Sequence, residues 1–392
     1  MVGLGYIGLP TAAILANRGC DVIGVDVNQK AIDTINQGEI HIVEPDLEAM
    51  VHSAVISRKL KATLTPEKAD AFLIAVPTPF KEGHVPDLSY IEAAAKAISS
   101  VLEPGNLIIL ESTSPVGTTE KLKKWLPNID LHTAYCPERV LPGHILQEIV
   151  SNDRIIGGLT PRCAKKAKEL YQIFVEGECL LTDVRTAEMT KLTENAFRDV
   201  NIAFANELSL ISDRLGINVW ELIQLASHHP RVNILQPGPG VGGHCIAVDP
   251  WFIVNSAPDL AKLIKTSREV NDSKPHYILT KAKEKIAKLE NPIVACFGLS
   301  FKADIDDTRE SPALEIVEEL SKEKIGKLLI VEPHLKTLPK SLHANHIEHL
   351  DLEEAIRRAD LMLLLVNHRK FARIDRALLK DKYIIDSRGI WG

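Results

Sequence analysis

The stretch "MVGLGYIGLPTAAILANRGCDVIGVD" (1–26) decides how the chain is read. Gly3, Gly5 and Gly8 spell G-x-G-x-x-G, the turn that carries a chain from a buried strand into a helix and lets backbone approach a pyrophosphate. A helix-compatible run follows. Then "DVIGVD" (21–26) reads as a strand ending in Asp26, eighteen residues after Gly8. A carboxylate there accepts the ribose hydroxyls of NAD and repels the extra phosphate of NADP. A glycine turn beside a solvated Asp26 is the plainer alternative, and the strand–turn–helix context favours NAD over it. Only Met1 and Val2 precede the first glycine. The first strand is therefore expected to be truncated, with the natural start some seven residues upstream.

Outward from this turn, "DAFLIAV" (70–76) and "NLIILES" (106–112) are unbroken apolar runs of the kind that form parallel strands buried on both faces. "SYIEAAAKAISSVL" (89–102) is helical, and alternation of the two types predicts a doubly wound α/β domain over residues 1–185. From Thr186 the pattern changes: a stretch without proline, and without glycine until Gly216, predicts a long helix. It opens an all-helical central domain (186–290), a suitable place for two subunits to pack. Strand signals return in "PIVACFGL" (292–299), "KLLIVEP" (327–333), "DLMLLLVN" (360–367) and "KYIIDS" (382–387), a second α/β domain over 291–392. Ser311-Pro312 reads as a helix start, with serine at the cap and proline at the first helical position.

The totals exclude several classes. With 392 residues, 45% of them hydrophobic and a formal charge of -6, the chain is a globular protein without global attraction to nucleic acid or anionic membrane. Its longest apolar runs are strand-sized, so no membrane span is expected. No signal peptide is legible. Six scattered cysteines without a C-x-x-C pair suit reduced thiols in a cytoplasm, not disulfides or a zinc site; no metal is expected.

Three further stretches carry chemistry. In "QPGPGVGGHCIAVDP" (236–250), Cys245 is either a small apolar filler or a nucleophile tuned by His244 and Asp249, with Gly242 and Gly243 leaving room for another molecule. In "KLTENAFR", Lys191, Asn195 and Arg198 fall on one helix face. A solvated surface explains such a stripe; so does burial against an anionic substrate, which the apolar turns that follow support. In "FGLSFKADIDDTRESP" (297–312), Phe301-Lys302 follows a strand end, where open α/β sheets bind ligands.

Together these stretches, with "GEIHIVEPDL", "AVPTPF", "ESTSPVG", "YCPERVLPG" and "HPRVNILQPGPGVGGHCIAVDPWFI", resemble the UDP-glucose/GDP-mannose dehydrogenase family over essentially the whole chain. The resemblance implies a Rossmann-type NAD domain, a helical dimer-forming centre and a C-terminal Rossmann-like UDP-sugar domain, in a homodimer. It implies oxidation of a sugar C6 alcohol to the carboxylate through an aldehyde, a thiohemiacetal on Cys245 and a thioester, with two hydrides passing to NAD. Lys191 and Asn195 are implied to stabilise charge on the substrate oxygen, and Asp249 and Glu138 to orient or activate water. Arg139, Val140, Arg198, His229, Arg231, Gly242, Phe301, Lys302 and Arg388 match substrate-contacting positions, with Arg231 reaching into the neighbouring subunit. Tyr6, Ile7, Asp26, Thr78, Thr113 and Arg309 match cofactor contacts. Two departures, Val248 where UDP-glucose enzymes carry lysine and Pro142 where they carry a second glutamate, point to an N-acetylated sugar.

Overall fold

Residues 1–3 lie between two strands and join them into one sheet. The Val2 amide donates to the Leu73 carbonyl and its own carbonyl accepts from Ala75, both at 2.8 Å. On the other side Gly3 donates to Val25 (2.8 Å) and Met1 accepts from Val25 (2.7 Å). Residues 1–3 thus act as the central strand: Val2 bridges Val25 and Ile74, both in parallel. In this computed structural model, which describes residues 1–141, 143–243 and 245–391, Met1 and Val2 are buried. His244 and Pro142, singled out from the sequence, fall outside the described residues.

The N-terminal sheet runs Leu60–Thr63, Val22–Val25, residues 1–3, Ala71–Ile74, Leu107–Leu110, His132–Tyr135, Arg154–Gly158, Cys179–Asp183. Its pairings are parallel except His132–Tyr135 with Arg154–Gly158. The buried helix Gly8–Asn17 follows the glycine turn directly. The C-terminal sheet is entirely parallel in the order Ile347–His349, Lys327–Val331, Ile293–Phe297, Leu361–Leu364, Tyr383–Asp386. Its first strand is central and the order reverses there, which is the doubly wound arrangement. Ser311 caps the helix Pro312–Leu320 by accepting from the Leu314 amide, as its sequence indicates.

Between the two sheets in chain order lie the helices Val184–Leu215, Val219–Ala226, Asp249–Ser256 and Lys262–Ile286. The chain divides into two units, residues 1–194 with 255–257, and residues 195–254 with 258–392. No helix among the described residues is long and apolar enough to cross a membrane.

A buried polar cluster sits under the N-terminal sheet. Arg154 donates to Glu138 at 2.5 Å and lies 5.2 Å from the centre of the Tyr171 ring. Tyr171 donates to Glu111 at 2.7 Å, and the second Glu111 oxygen is buried without a hydrogen-bond partner. Burial pushes the Glu111 carboxyl up to about 7, against the pull of Tyr171 and Arg154. A carboxyl raised in the folded state stabilises most when both states are protonated, and that contribution is lost as pH rises through its folded value. Glu111→Gln is therefore expected to flatten the fall in stability between pH 4.5 and about 7, by on the order of 1–3 kcal/mol, read by urea unfolding across that range.

Candidate functional site

The glycine turn is built by close approach on two of its three glycines. Gly3 has φ +89°, and a Cβ there would lie 2.4 Å from the Ala75 carbonyl oxygen. A Cβ on Gly8 would lie 1.8 Å from the Gly3 carbonyl oxygen. Gly5 differs: a Cβ there meets no atom within 4 Å, and the residue is exposed. Nothing among the described residues demands glycine at that position, so the open space fits a ligand that must touch backbone. Asp26 closes the other side. It accepts from the Leu4 and Asn28 amides, each at 2.9 Å, and is only half-buried. These residues fit NAD: glycine backbone for the pyrophosphate, Asp26 for the ribose.

Thr78 and Thr113 are joined by a 2.7 Å hydrogen bond from the Thr78 hydroxyl to the Thr113 carbonyl. The loop after Thr113 is fixed by Glu188, which accepts from the Gly117 amide (2.6 Å), the Thr119 amide (2.7 Å) and the Thr119 hydroxyl (2.6 Å). Burial raises the Glu188 carboxyl while these donors hold it down. Glu44 does similar work, accepting from Gly143 (2.9 Å) and Ile145 (2.7 Å) beyond the "PERV" turn. Tyr6 is exposed and Ile7 half-buried at the start of the first helix. The sequence alone does not single out Glu44 or Glu188; Glu44 lies within "GEIHIVEPDL", whereas Glu188 stands just before "KLTENAFR".

Glu138 has both oxygens engaged, one by Arg154 and one by the Arg139 amide at 2.8 Å. That arrangement positions a turn better than it activates water. Arg139 pairs with Glu194 at 3.2 Å, and Val140 packs on the N-terminal core.

The second unit contains the cysteine loop. Cys245 is the exposed one of the six cysteines. Burial pushes the Cys136 thiol up to about 12 and that of Cys296 higher still, so neither is a ready nucleophile. The Cys245 carbonyl accepts from Val248 (3.2 Å) and Asp249 (2.9 Å), folding the tight turn that delivers Asp249 to a helix start. Asp249 is buried and accepts from the Asn195 amide at 2.5 Å. Lys191, one turn earlier on the same helix, is also buried. Arg198 is exposed, so the expected buried stripe is limited to Lys191 and Asn195.

The glycines before Cys245 make room for the chain itself, contrary to the expectation of an approaching molecule. A Cβ on Gly242 would lie 2.3 Å from the Glu310 carbonyl oxygen, and one on Gly243 (φ +81°) 2.8 Å from the Phe301 ring. A Cβ on Gly238 would lie 2.6 Å from the Arg388 guanidinium. The loop is held by Arg309, whose carbonyl accepts from Gly243 (3.2 Å) while its guanidinium is clamped by Asp307. Asn206 accepts from the Gly238 amide at 2.8 Å and donates to Asn271 at 2.8 Å. Arg388 donates to the Leu365 carbonyl at 3.0 Å; burial pushes its pKa down to about 10, so it stays cationic at neutral pH. Lys302, His229 and Arg231 remain exposed, and Phe301 is half-buried.

Against this geometry, residues 1–175 match the profile of the "UDP-glucose/GDP-mannose dehydrogenase family, NAD binding domain", residues 185–273 the central domain and residues 295–392 the UDP binding domain of the same family. The chain belongs to the UDP-glucose/GDP-mannose dehydrogenase family. Among its relatives, an NDP-N-acetyl-D-galactosaminuronic acid dehydrogenase of Ralstonia nicotianae is 61% identical over 100% of this chain and 95% of its own. A UDP-N-acetyl-D-mannosamine dehydrogenase of Campylobacter jejuni is 59% identical over 95% of this chain and 96% of its own. A solved UDP-N-acetyl-mannosamine dehydrogenase of Staphylococcus aureus is 45% identical with a TM-score of 0.89, covering 99% of this chain and 94% of that one. In this family member the three-domain order and the NAD domain stand as expected.

The two kinds of glycine separate experimentally. Gly5→Ala is expected to leave unfolding within about 0.5 kcal/mol of the parent chain while weakening NAD binding more than about tenfold, read by titration. Gly242→Ala should instead cost about 1–3 kcal/mol of stability, because backbone must shift to admit the methyl group.

Proposed function

We propose that this dehydrogenase oxidises C6 of UDP-N-acetyl-D-mannosamine to the carboxylate, consuming two NAD for each sugar. One observation carries the chemistry: the exposed Cys245 thiol stands four residues before the buried Asp249–Asn195 hydrogen bond. NAD, when bound, accepts hydride; everything else falls to side chains of this chain. Lys191 supplies positive charge for the oxygen that becomes negative. Asn195 has one amide N–H committed to Asp249 and a second for the same oxygen, so its amide is oriented before substrate arrives. The alcohol loses a hydride and a proton to become an aldehyde. Cys245 sulfur then bonds to the aldehyde carbon, giving a thiohemiacetal whose loss of a second hydride and proton leaves a thioester. Water cleaves the thioester to carboxylate and thiol, with Asp249 as the nearby carboxylate that orients it.

The substrate assignment rests on two relatives that carry mannosamine in their names and on Val248 and Pro142, which depart from the UDP-glucose pattern. Phe301, Lys302 and Arg388 are the residues proposed to hold the UDP-sugar. A galactosamine epimer is the second reading, supported by the 61% relative. UDP-N-acetylglucosamine remains an alternative on the shared "GPGxGGHC" pattern. The product suits assembly of a cell-surface polysaccharide, of the enterobacterial common antigen or capsule type. Release of two NADH per sugar is expected from UDP-N-acetyl-D-mannosamine, with slower turnover of the galactosamine, glucosamine and glucose analogues. Accumulation of one NADH with free aldehyde overturns the covalent route. Cys245→Ser is expected to lose acid formation by at least about a thousandfold while NAD still binds.

The proposal includes a homodimer built on the helix Val184–Leu215. Phe197, Phe204 and Ile211 recur every seven residues and are 68%, 54% and 47% exposed, with Leu215 one turn on at 64%. Such a stripe on a helix needs a partner, and the same stripe on a second copy supplies one by two-fold symmetry. Phe197→Glu with Phe204→Glu is expected to halve the molar mass seen by light scattering; an unchanged mass removes the stripe from the interface.

A further inference from the structure

The two sheets use one carboxylate device twice, and the second copy is closed. In the N-terminal domain Gly3 (φ +89°) ends the first strand, and Asp26, directly after the second strand, accepts from Leu4 and Asn28. In the C-terminal domain Gly298 (φ +95°) ends the first strand, Ile293–Phe297. Glu332, directly after Lys327–Val331, accepts from Leu299 at 2.7 Å and from His334 at 3.0 Å. The pattern is the same: one oxygen on the residue after the glycine, the other on the amide two residues past the carboxylate.

The surroundings differ. Asp26 is half-buried, whereas Glu332 is 2% exposed and its inner oxygen also faces the Ser300 amide at 3.3 Å and His368 Nε2 at 3.2 Å. His368 is itself fully buried. Its Nδ1 accepts from the Asp304 amide at 2.9 Å, which leaves Nε2–H to donate to Glu332. Asp304 in turn holds Arg369, accepting from its amide at 3.1 Å and its guanidinium at 2.7 Å. The Ser300 hydroxyl donates to the Lys302 carbonyl at 2.7 Å. Glu332 and His368 thus grip both ends of the turn 299–304, and Phe301 and Lys302 project from its middle. Asp304, His334 and His368 lie close enough to suggest a metal site, but both His368 nitrogens already have hydrogen-bond partners, so the cluster is a clasp.

We infer that Glu332 and His368 are positioning residues for nucleotide-sugar binding: a sealed counterpart of the Asp26 site that fixes the Phe301-Lys302 turn instead of taking a ribose. The inference rests on the proposed UDP-sugar reading. His368→Ala removes both contacts; His368→Asn keeps an acceptor near Nδ1, and His368→Gln keeps a donor near Nε2. UDP titration, kinetics with both substrates and amide hydrogen exchange of residues 299–304 are measured on all three in the full chain. His368→Ala is expected to weaken UDP about tenfold and to raise the sugar KM by the same factor. Its kcat and the KM for NAD stay within about twofold. Exchange over 299–304 accelerates, and the Asn and Gln variants fall between Ala and the parent. Unchanged UDP affinity in all three variants overturns the inference, as does loss of UDP and NAD binding together in proportion to lost folded protein. If the parent chain itself binds no UDP, the substrate reading fails. Exchange over 299–304 then judges the clasp, and an unchanged rate in His368→Ala overturns it.

Discussion

Everything in the N-terminal half depends on three residues of backbone being paired on both sides. Residues 1–3 accept and donate toward Val22–Val25 on one flank and Ala71–Ile74 on the other. Without them the sheet separates into two, and the cofactor turn loses the strand from which it springs. The same pairing places Gly3 at the end of a central strand and next to Ala75, which is why its left-handed backbone cannot take a side chain. Backbone hydrogen bonds in register do this together with the buried side chains of Met1 and Val2.

The helix Val184–Leu215 sets a second constraint. Its side chains serve different neighbours along its length: Glu188 caps the start of Thr118–Trp125, Asn195 meets Asp249, Asp199 pairs with Arg268 at 2.6 Å, and Asn206 holds the glycine loop. Each contact is polar, at least partly buried, and joins a donor to an acceptor. Within the second unit, Asn195, Asp199 and Asn206 thereby tie this helix to the Asp249 turn, to Arg268 and to the loop at Gly238.

Much of this was legible in the residues. Strands with unbroken apolar runs are legible to within one to three residues at each end, as are the long helix and the Ser311 cap. The strands at Leu60–Thr63, His132–Tyr135 and Arg154–Gly158 were not, because "LKAT", "HTAY" and "RIIGG" carry polar or glycine positions that resemble loop. His132–Tyr135 is buried throughout despite its polar letters, so tertiary surroundings decided it. The place of Asp26 just after its strand was legible from its spacing after three glycines. Glu332 could not, since its partners Leu299 and His368 come from distant segments and only folding brings them together. The glycines of the cysteine loop were noticed for a sound reason, missing bulk, but the occupant proved to be Phe301 and Glu310 of the same chain.

That last contact bears on how such a protein can change over time. The loop 238–243 and the surface formed by Phe301, Glu310, Pro312 and Arg388 are complementary at sub-van-der-Waals tolerance for any added atom. A larger residue on one side demands a smaller one on the other, so substitutions in the two segments are coupled although they lie some sixty residues or more apart. Recombination that exchanged the C-terminal domain alone would deliver a foreign surface to an old loop. Exchange that carried the loop along would preserve the fit.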